Sequence, residues 1–350
     1  MTQKANIIGW DNGGGLSRDI DVLHAALTAL GWSVAVNGRR GRHASGSSVG
    51  RALGRVRSRM VRSALAAGLA SPPFDLNLHL EEINGASLAL ARRNILIPNQ
   101  EWLRDWCRPY LPRMDEVWVK TRYAGGLFAQ LGCKVRLLGW EGVDRRAPGA
   151  RSLTGLHMAG ASIAKGTEAV LDVWSEHPGW PLLRVLRRSR GYAGEPIAWR
   201  ERPAAPNIQI IGERVDDRTL IRWQNESALH VCPSEAEGFG HNILEAMSVG
   251  AVVISTDAPP MNEIVTEGAG LLVAAERSEP MSLGRRYFVS RADLAARIRA
   301  ALAMTDAERE AMGQAARARF EQNNGAFRAR LAQNLESLRA AAAGARSALS

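Results

Sequence analysis

The stretch 228-ALHVCPSEAEGFGHNILEAMSVGAVVISTD-257 decides the fold. Residues 228–232 are an apolar run of the length of a buried strand. Residues 233–240 are a polar loop holding Glu235, Glu237, Gly238 and Gly240. A helix is predicted from about His241 and ends at Gly250, a natural C-terminal cap. Val252, Val253 and Ile254 read as the next buried strand. Strand, acidic glycine-rich loop, helix and strand make a parallel crossover.

The chemistry lies in the loop and the first helical turns. Gly238 and Gly240 lack a Cβ, so a ligand can approach their backbone closely. Free N–H groups at a helix start favour an anionic or electron-rich ligand. Glu245 lies about one turn beyond Asn242. Glu237 and Glu245 can therefore grip different parts of one elongated ligand. Acceptor-only groups of this kind suit a ribose or a hexose.

The string P-S-E-A-E-G-F-G-H-N-I-L-E-A-M places seven residues between Glu237 and Glu245. It resembles the donor-binding signature of retaining glycosyltransferases of family 4, the glycosyl transferases group 1. The likeness continues through 262-NEIVTEGAGLLV-273, which follows the motif. It implies an α/β chain of GT-B fold, two Rossmann-like domains with parallel sheets facing a central cleft. It implies that Glu237 contacts hydroxyls of the transferred sugar and that Glu245 binds the ribose. Gly238, Phe239 and Gly240 would line the sugar pocket, with His241 and Asn242 beside the donor. In such proteins the N-terminal half carries the acceptor and a C-terminal helix crosses back onto it. The expected division is thus 1–148 for the acceptor, 149–310 for the nucleotide-sugar, and 311–350 for the returning helices.

At 350 residues, 46% hydrophobic and 23% charged, the chain is long enough for two globular cores. No apolar run approaches a membrane span of about 20 residues, and no signal-peptide pattern opens the chain. The expected location is the cytoplasm, peripheral to the inner face of the membrane. Cys107, Cys133 and Cys232 are scattered, without metal or redox spacing. No metal and no cofactor are expected, the nucleotide-sugar being a substrate. The net charge of +10 is read as suiting an anionic membrane surface or an anionic acceptor. No zinc-finger or RNA-binding motif is present, so nucleic acid is not an expected partner.

In chain order, residues 5–9 and 32–36 are strands flanking a helix over 17–30. Gly13, Gly14 and Gly15 in 11-DNGGGLSRD-19 can present N–H groups to a phosphate or sugar, although the loop is neither a dinucleotide fingerprint nor a P-loop. Residues 49–70 read as a basic amphipathic helix, either lying on an anionic membrane through 39–62 or packed on the sheet with its arginines in water. Strands follow at 74–80, 95–97, 117–119 and 135–138. His79, Asn99 and Glu101 stand at strand ends as acceptor-side candidates. Residues 139–150, rich in Gly and Pro, read as the interdomain hinge.

A strand near 154–160 leads to Ser162 and Lys165, the latter beside a helix start and placed to bind a pyrophosphate. The family resembled usually has an arginine five residues before this lysine; here Gly160 stands there. Ser162, Thr167 or an arginine from elsewhere is left to fill that role. Arg214, in 213-ERVDD-217, is a nucleobase contact by resemblance. Helices are expected over 292–304, 306–322 and 325–342. The reading is a metal-independent, retaining hexosyltransferase with Glu237 and Lys165 as catalytic residues. It would act from a UDP-sugar or GDP-mannose onto a glycan, lipid-linked or other cell-envelope acceptor. A GT-B nucleotide-sugar epimerase and a catalytically silent glycan-binding relative are the alternatives.

Overall fold

The computed structural model describes residues 2–40, 63, 70–191 and 194–347. The basic helix expected over 49–70 and the membrane contact expected through 39–62 fall almost entirely outside these residues. The chain divides into two compact units. Unit 1 comprises Met1–Lys120, Ala124–Leu138 and Arg330–Ser350; unit 2 comprises Thr121–Tyr123 and Gly139–Ala329.

Unit 1 is built on six strands: β1 (Lys4–Asp11), β2 (Ser33–Arg40), β3 (Phe74–Leu80), β4 (Ala91–Ile97), β5 (Glu116–Val119) and β6 (Val135–Leu137). All pair in parallel, in the order β2-β1-β3-β4-β5-β6. Consecutive buried residues in β1, from Ala5 to Ile8, mark a strand covered on both faces. Helix α1 (Gly15–Ala29) turns Leu16, Ile20, Leu23 and Leu27 inward at helical spacing, and Gly31, at φ +79°, ends it. Helix α2 (Arg122–Gln130) joins β5 to β6.

Side-chain amides cross this sheet as a ladder, with Asn6 and Asn77 fully buried at its middle. Asn37 Nδ2 donates to Asn6 Oδ1 at 2.5 Å, Asn6 Nδ2 to Asn77 Oδ1 at 2.8 Å, and Asn77 Nδ2 to Asn94 Oδ1 at 2.8 Å. Satisfied in this way, the side chains fix the register of β2, β1, β3 and β4 rather than destabilise the core. Two 3-10 segments, Gly85–Leu90 and Asp105–Arg113, were not expected from the sequence. The second contains Pro109 and Pro112, whose missing N–H groups break an α-helical pattern.

Unit 2 holds β7 (Ser152–Gly160), α3 (Thr167–Ser175), β8 (Leu183–Arg187), β9 (Ile208–Ile211), α4 (Asp217–Glu226), β10 (Ser227–Cys232), α5 (His241–Ser248), β11 (Val252–Asp257) and α6 (Met261–Ile264). It continues with β12 (Leu271–Met281), β13 (Gly284–Val289) and α7 (Arg291–Ala303). The strand order is β13-β12-β11-β10-β7-β8-β9, parallel except for the antiparallel pair β12 and β13. The deciding stretch folds as read: β10 is buried throughout and α5 is followed by Gly250 at φ +70°. A Cβ on Gly313 would stand 2.2 Å from Gly250 O, so this helix end packs backbone to backbone.

The expected helices over 306–322 and 325–342 are one 42-residue helix, α8 (Asp306–Ser347). The Asn-Asn-Gly at 323–325 reads as a stop in isolation. In the fold Asn323 Nδ2 donates to Trp140 O at 2.8 Å. Asn324 exchanges bonds with the Gly142 peptide, donating to its O and accepting from its N–H, both at 2.9 Å. Trp140 is buried with its ring 5.3 Å from Phe327. The 139–150 segment has no regular structure but is bonded along unit 2: Arg145 N donates to Ser248 Oγ at 3.0 Å and Ala147 N to Asn225 Oδ1 at 2.9 Å.

Candidate active site

In unit 2 the chain runs β7, β8, β9 to one side, then returns to lay β10 against the other side of β7. Ligand sites of open parallel sheets lie at such a reversal, beyond the carboxyl ends of the strands. The loops leaving those ends are 161–166 and 233–240. Glu235 N donates to Ala164 O at 2.9 Å, joining them directly. Gly166 has φ +68°, and a Cβ on it would stand 2.2 Å from Pro233 O. Only glycine permits this approach.

His157 ties the same elements from below. Its Nδ1 lies 2.7 Å from Val231 O on β10, and its Nε2 lies 2.9 Å from Thr167 Oγ1 at the start of α3. A carbonyl can only accept, so Nδ1 carries the proton and Nε2 accepts from the threonine. Burial lowers this histidine's pKa to about 4, which keeps it neutral.

The two loops bring Lys165, Glu237 and Asn242 together. Lys165 Nζ donates to the Glu237 carboxylate and, at 3.1 Å, to Asn242 Oδ1. The lysine and glutamate side chains keep only 16% and 8% of their exposure. One ammonium thus stands between the acidic loop and the first turn of α5, at residues that lie 72 and 77 positions away in sequence.

Glu245 lies deeper, 2% exposed on α5. Its Oε2 accepts from Gln224 Nε2 at 2.8 Å, and its Oε1 is 3.8 Å from Arg145 Nε. Arg145 also holds both oxygens of Asp217 at 3.1 Å. The carboxylate is therefore fixed in orientation before any ligand arrives.

A further pair was not recognised in the sequence. Arg286, on β13, is ion-paired with Glu235, and its Nη2 lies 3.5 Å from Ile163 O. Tyr287 N donates to Glu235 O at 2.7 Å. Burial pushes the Glu235 carboxyl above its usual range, opposed by Arg286. The β12–β13 hairpin thus fastens both loops of the site. Its turn, Ser282-Leu283 with Ser282 at φ +51°, carries none of the glycine or asparagine that signals a hairpin.

The other expected donor residues are placed as follows. Ser162 is half-buried and its Oγ accepts from Ala164 N at 3.2 Å. Gly238 is buried, and Gly240, at φ +93°, precedes α5. Phe239 is 4% exposed, edge-on to His241 at 5.4 Å. Its ring is thus core. Arg214 stands exposed after β9.

Gly14 and Gly15 belong to unit 1. Gly14 N donates to Asn12 Oδ1 at 2.8 Å and Gly13 N to Ser17 Oγ at 2.7 Å. The Gly14 amide expected to face a phosphate is instead used within its own turn. Two of the three acceptor-side candidates are buried. His79 is fully buried, its Nδ1 accepting from Asn84 N at 3.2 Å, and Glu101 is 6% exposed. Asn99 is a link: it accepts from Lys120 at 3.0 Å and donates to Glu81 at 2.9 Å. The strand ends do gather polar groups, with His79 and Glu101 beneath the surface and Asn99 half-buried.

Residues 188–285, which include Glu237 and Glu245, match the family of glycosyl transferases group 1. Over this segment the chain is similar to that family. Among curated relatives, the chain is 30% identical over 199 residues to a GDP-mannose:cellobiosyl-diphosphopolyprenol alpha-mannosyltransferase of Xanthomonas campestris, covering 48% of this chain and 51% of the relative. It is 31% identical over 128 residues to the lipopolysaccharide core biosynthesis mannosyltransferase LpsB of Rhizobium meliloti (strain 1021), covering 33% and 36%. The matches thus span about half and about a third of those relatives' lengths. A glycosyltransferase from Rickettsia africae ESF-5 superposes with a TM-score of 0.68 at 13% identity, covering 96% of this chain and 98% of that one. The fold of the chain is GT-B. No helix among its described residues is long and apolar enough to cross a membrane.

Proposed function

We propose that this protein is a retaining glycosyltransferase that moves a hexose from a nucleotide-diphosphate sugar to a hydroxyl of a cell-envelope glycan or lipid-linked acceptor. The carrying observation is the Lys165–Glu237–Asn242 cluster at the carboxyl ends of β7 and β10, with Glu245 fixed behind it. GDP-mannose is the favoured donor over a UDP-sugar, since the relatives in Xanthomonas and Rhizobium are named as mannosyltransferases. The site of action would be the cytoplasmic face of the membrane.

In this reading Glu245 binds the ribose and Glu237 the sugar hydroxyls. Lys165 turns from the carboxylate to the diphosphate, whose greater negative charge competes for it. The bond from the sugar C1 to the β-phosphate oxygen breaks as the acceptor oxygen bonds to C1 on the same face, and the acceptor proton passes to the leaving phosphate. Lys165 and the N–H groups starting α3 and α5 stabilise the charge developing on the nucleotide. The ammonium supplies positive charge where a metal would otherwise be needed, so turnover should persist in EDTA. Incubating GDP-mannose and UDP-sugars with glycan acceptors, and following GDP or UDP release together with the anomer formed, tests the reading. Donor epimerised without transfer, or no reaction with any donor, would overturn it.

A further inference from the structure

Unit 1 contains a cavity of about 450 Å³ at the carboxyl ends of β1 and β3, within the range of small-molecule sites. Its polar lining is Asn37, Glu81, Glu82 and Asn84, and its aromatic lining is Trp10 and Trp106. The two tryptophans are 39% and 50% exposed. Large aromatic rings left in solvent beside a cavity are a sign of a contact surface rather than of core.

Glu81 is held there against its own backbone preference. Its φ is +64°, a left-handed conformation that non-glycine residues rarely adopt and that gathers at functional positions. A relay of side chains fixes its carboxylate: Asp19 pairs with Lys120 at 2.5 Å, Lys120 donates to Asn99 at 3.0 Å, and Asn99 donates to Glu81 Oε2 at 2.9 Å. Burial pushes the Glu81 carboxyl above its usual range, with Asn99 and Lys120 opposing. Beneath the cavity, His79 accepts from the Asn84 N–H and holds that turn in place.

We infer that this cavity binds one neutral sugar ring, with Trp10 and Trp106 against its apolar C–H face and Glu81 accepting from its hydroxyls. The chemistry is selective. No Lys or Arg among the described residues lines the cavity, while Glu81 and Glu82 do; Glu82 has Arg104 Nε 3.8 Å from its carboxylate, so Glu81 is the group set against a phosphate or an acidic sugar. A carboxylate accepts only, which matches hydroxyl donors. As a sugar site the assignment stands on the cavity alone. In taking the ring to be the sugar of the acceptor, it rests on the transferase reading.

The test is titration of the full chain with methyl α-mannopyranoside, methyl β-glucopyranoside, methyl β-galactopyranoside and cellobiose, read by tryptophan fluorescence and saturation-transfer NMR. Glucose 1-phosphate is the anionic control and GDP and UDP are titrated separately. At least one neutral glycoside should bind in the millimolar range. Trp106→Ala and Glu81→Gln should each weaken it about tenfold, and glucose 1-phosphate should bind more weakly than the neutral sugars. Both tryptophans are half in solvent, so Trp10→Ala and Trp106→Ala leave the core filled, and their melts should match the parent. No glycoside binding, binding indifferent to Trp10→Ala and Trp106→Ala, or preference for the phosphorylated sugar would overturn the assignment. Nucleotide binding without glycoside binding would refute the cavity alone. Glycoside binding without nucleotide binding would refute the transferase reading and leave the cavity standing.

Discussion

Lys165 spans the two loops of the candidate site by donating at once to the Glu237 carboxylate and, at 3.1 Å, to Asn242 Oδ1. Removing it strips a nearly buried glutamate of its cation. Lys165→Ala should lower kcat by about 10²–10³, the scale of losing one preorganised charge-stabilising group. It should also reduce folding stability by about 1–3 kcal/mol. Pairing Lys165→Met with Glu237→Gln should recover stability but not turnover. Recovery of both would make the pair structural.

Glu245 and Glu237 should separate in kinetics. Glu245→Ala should raise the Kd for the nucleotide about 10- to 100-fold, the loss of charge-assisted hydrogen bonds. Glu237→Ala should lower kcat with little change in nucleotide Kd. Calorimetric titration of the nucleotide alongside initial rates checks both, and equal effects in the two variants would remove the division of roles.

Arg286 reaches the site from a hairpin. Arg286→Ala should leave the melt within about 1 kcal/mol of the parent, as for a partly exposed ion pair. It should still lower kcat/KM about tenfold by loosening the 233–240 loop against Ile163. Arg286→Lys should restore part of the rate. A charge exchange, Glu235→Arg with Arg286→Glu, should do better than either single change. Unaltered kinetics in Arg286→Ala would leave the hairpin without a role in positioning.

Acid should weaken the fold before its carboxylates titrate. His79, His157 and His230 are buried, and burial lowers each from an ordinary 6.5 to about 4. Between these values the unfolded chain binds protons that the folded chain refuses, so stability falls as pH drops, by about 1.4 kcal/mol per pH unit for each histidine. Glu81 and Glu235, whose carboxyls burial pushes up, act in the opposite sense. The clean readout is therefore the difference between parent and His157→Gln in urea unfolding at pH 7 and pH 5. The variant should lose less stability on acidification, and parallel slopes would refute a neutral buried His157.

The parallel cores were legible because strands buried on both faces are continuous apolar runs, as in β10, and because glycines mark their ends, as at Gly250. Lys165 and Glu237 were each legible as site candidates, but their pairing was not read from the sequence. What escaped was tertiary. Asn323 and Asn324 look like a helix stop until Trp140 and Gly142 supply partners. The β12–β13 hairpin lies at a sheet edge and buries too little for an alternating pattern. Gly14 looked like a free donor because its partner, the Asn12 side chain, is set by the turn rather than by composition. His79 was misplaced because a strand's end can turn its side chain inward as readily as outward.

The most direct measurement is calorimetric titration of GDP and UDP, with their sugar conjugates, into the parent protein and Lys165→Met. One nucleotide should bind the parent, with an affinity at least tenfold weaker in the variant and an unchanged melt for the double variant with Glu237→Gln. Absence of nucleotide binding, or equal affinity in parent and Lys165→Met, would contradict a donor site built on Lys165.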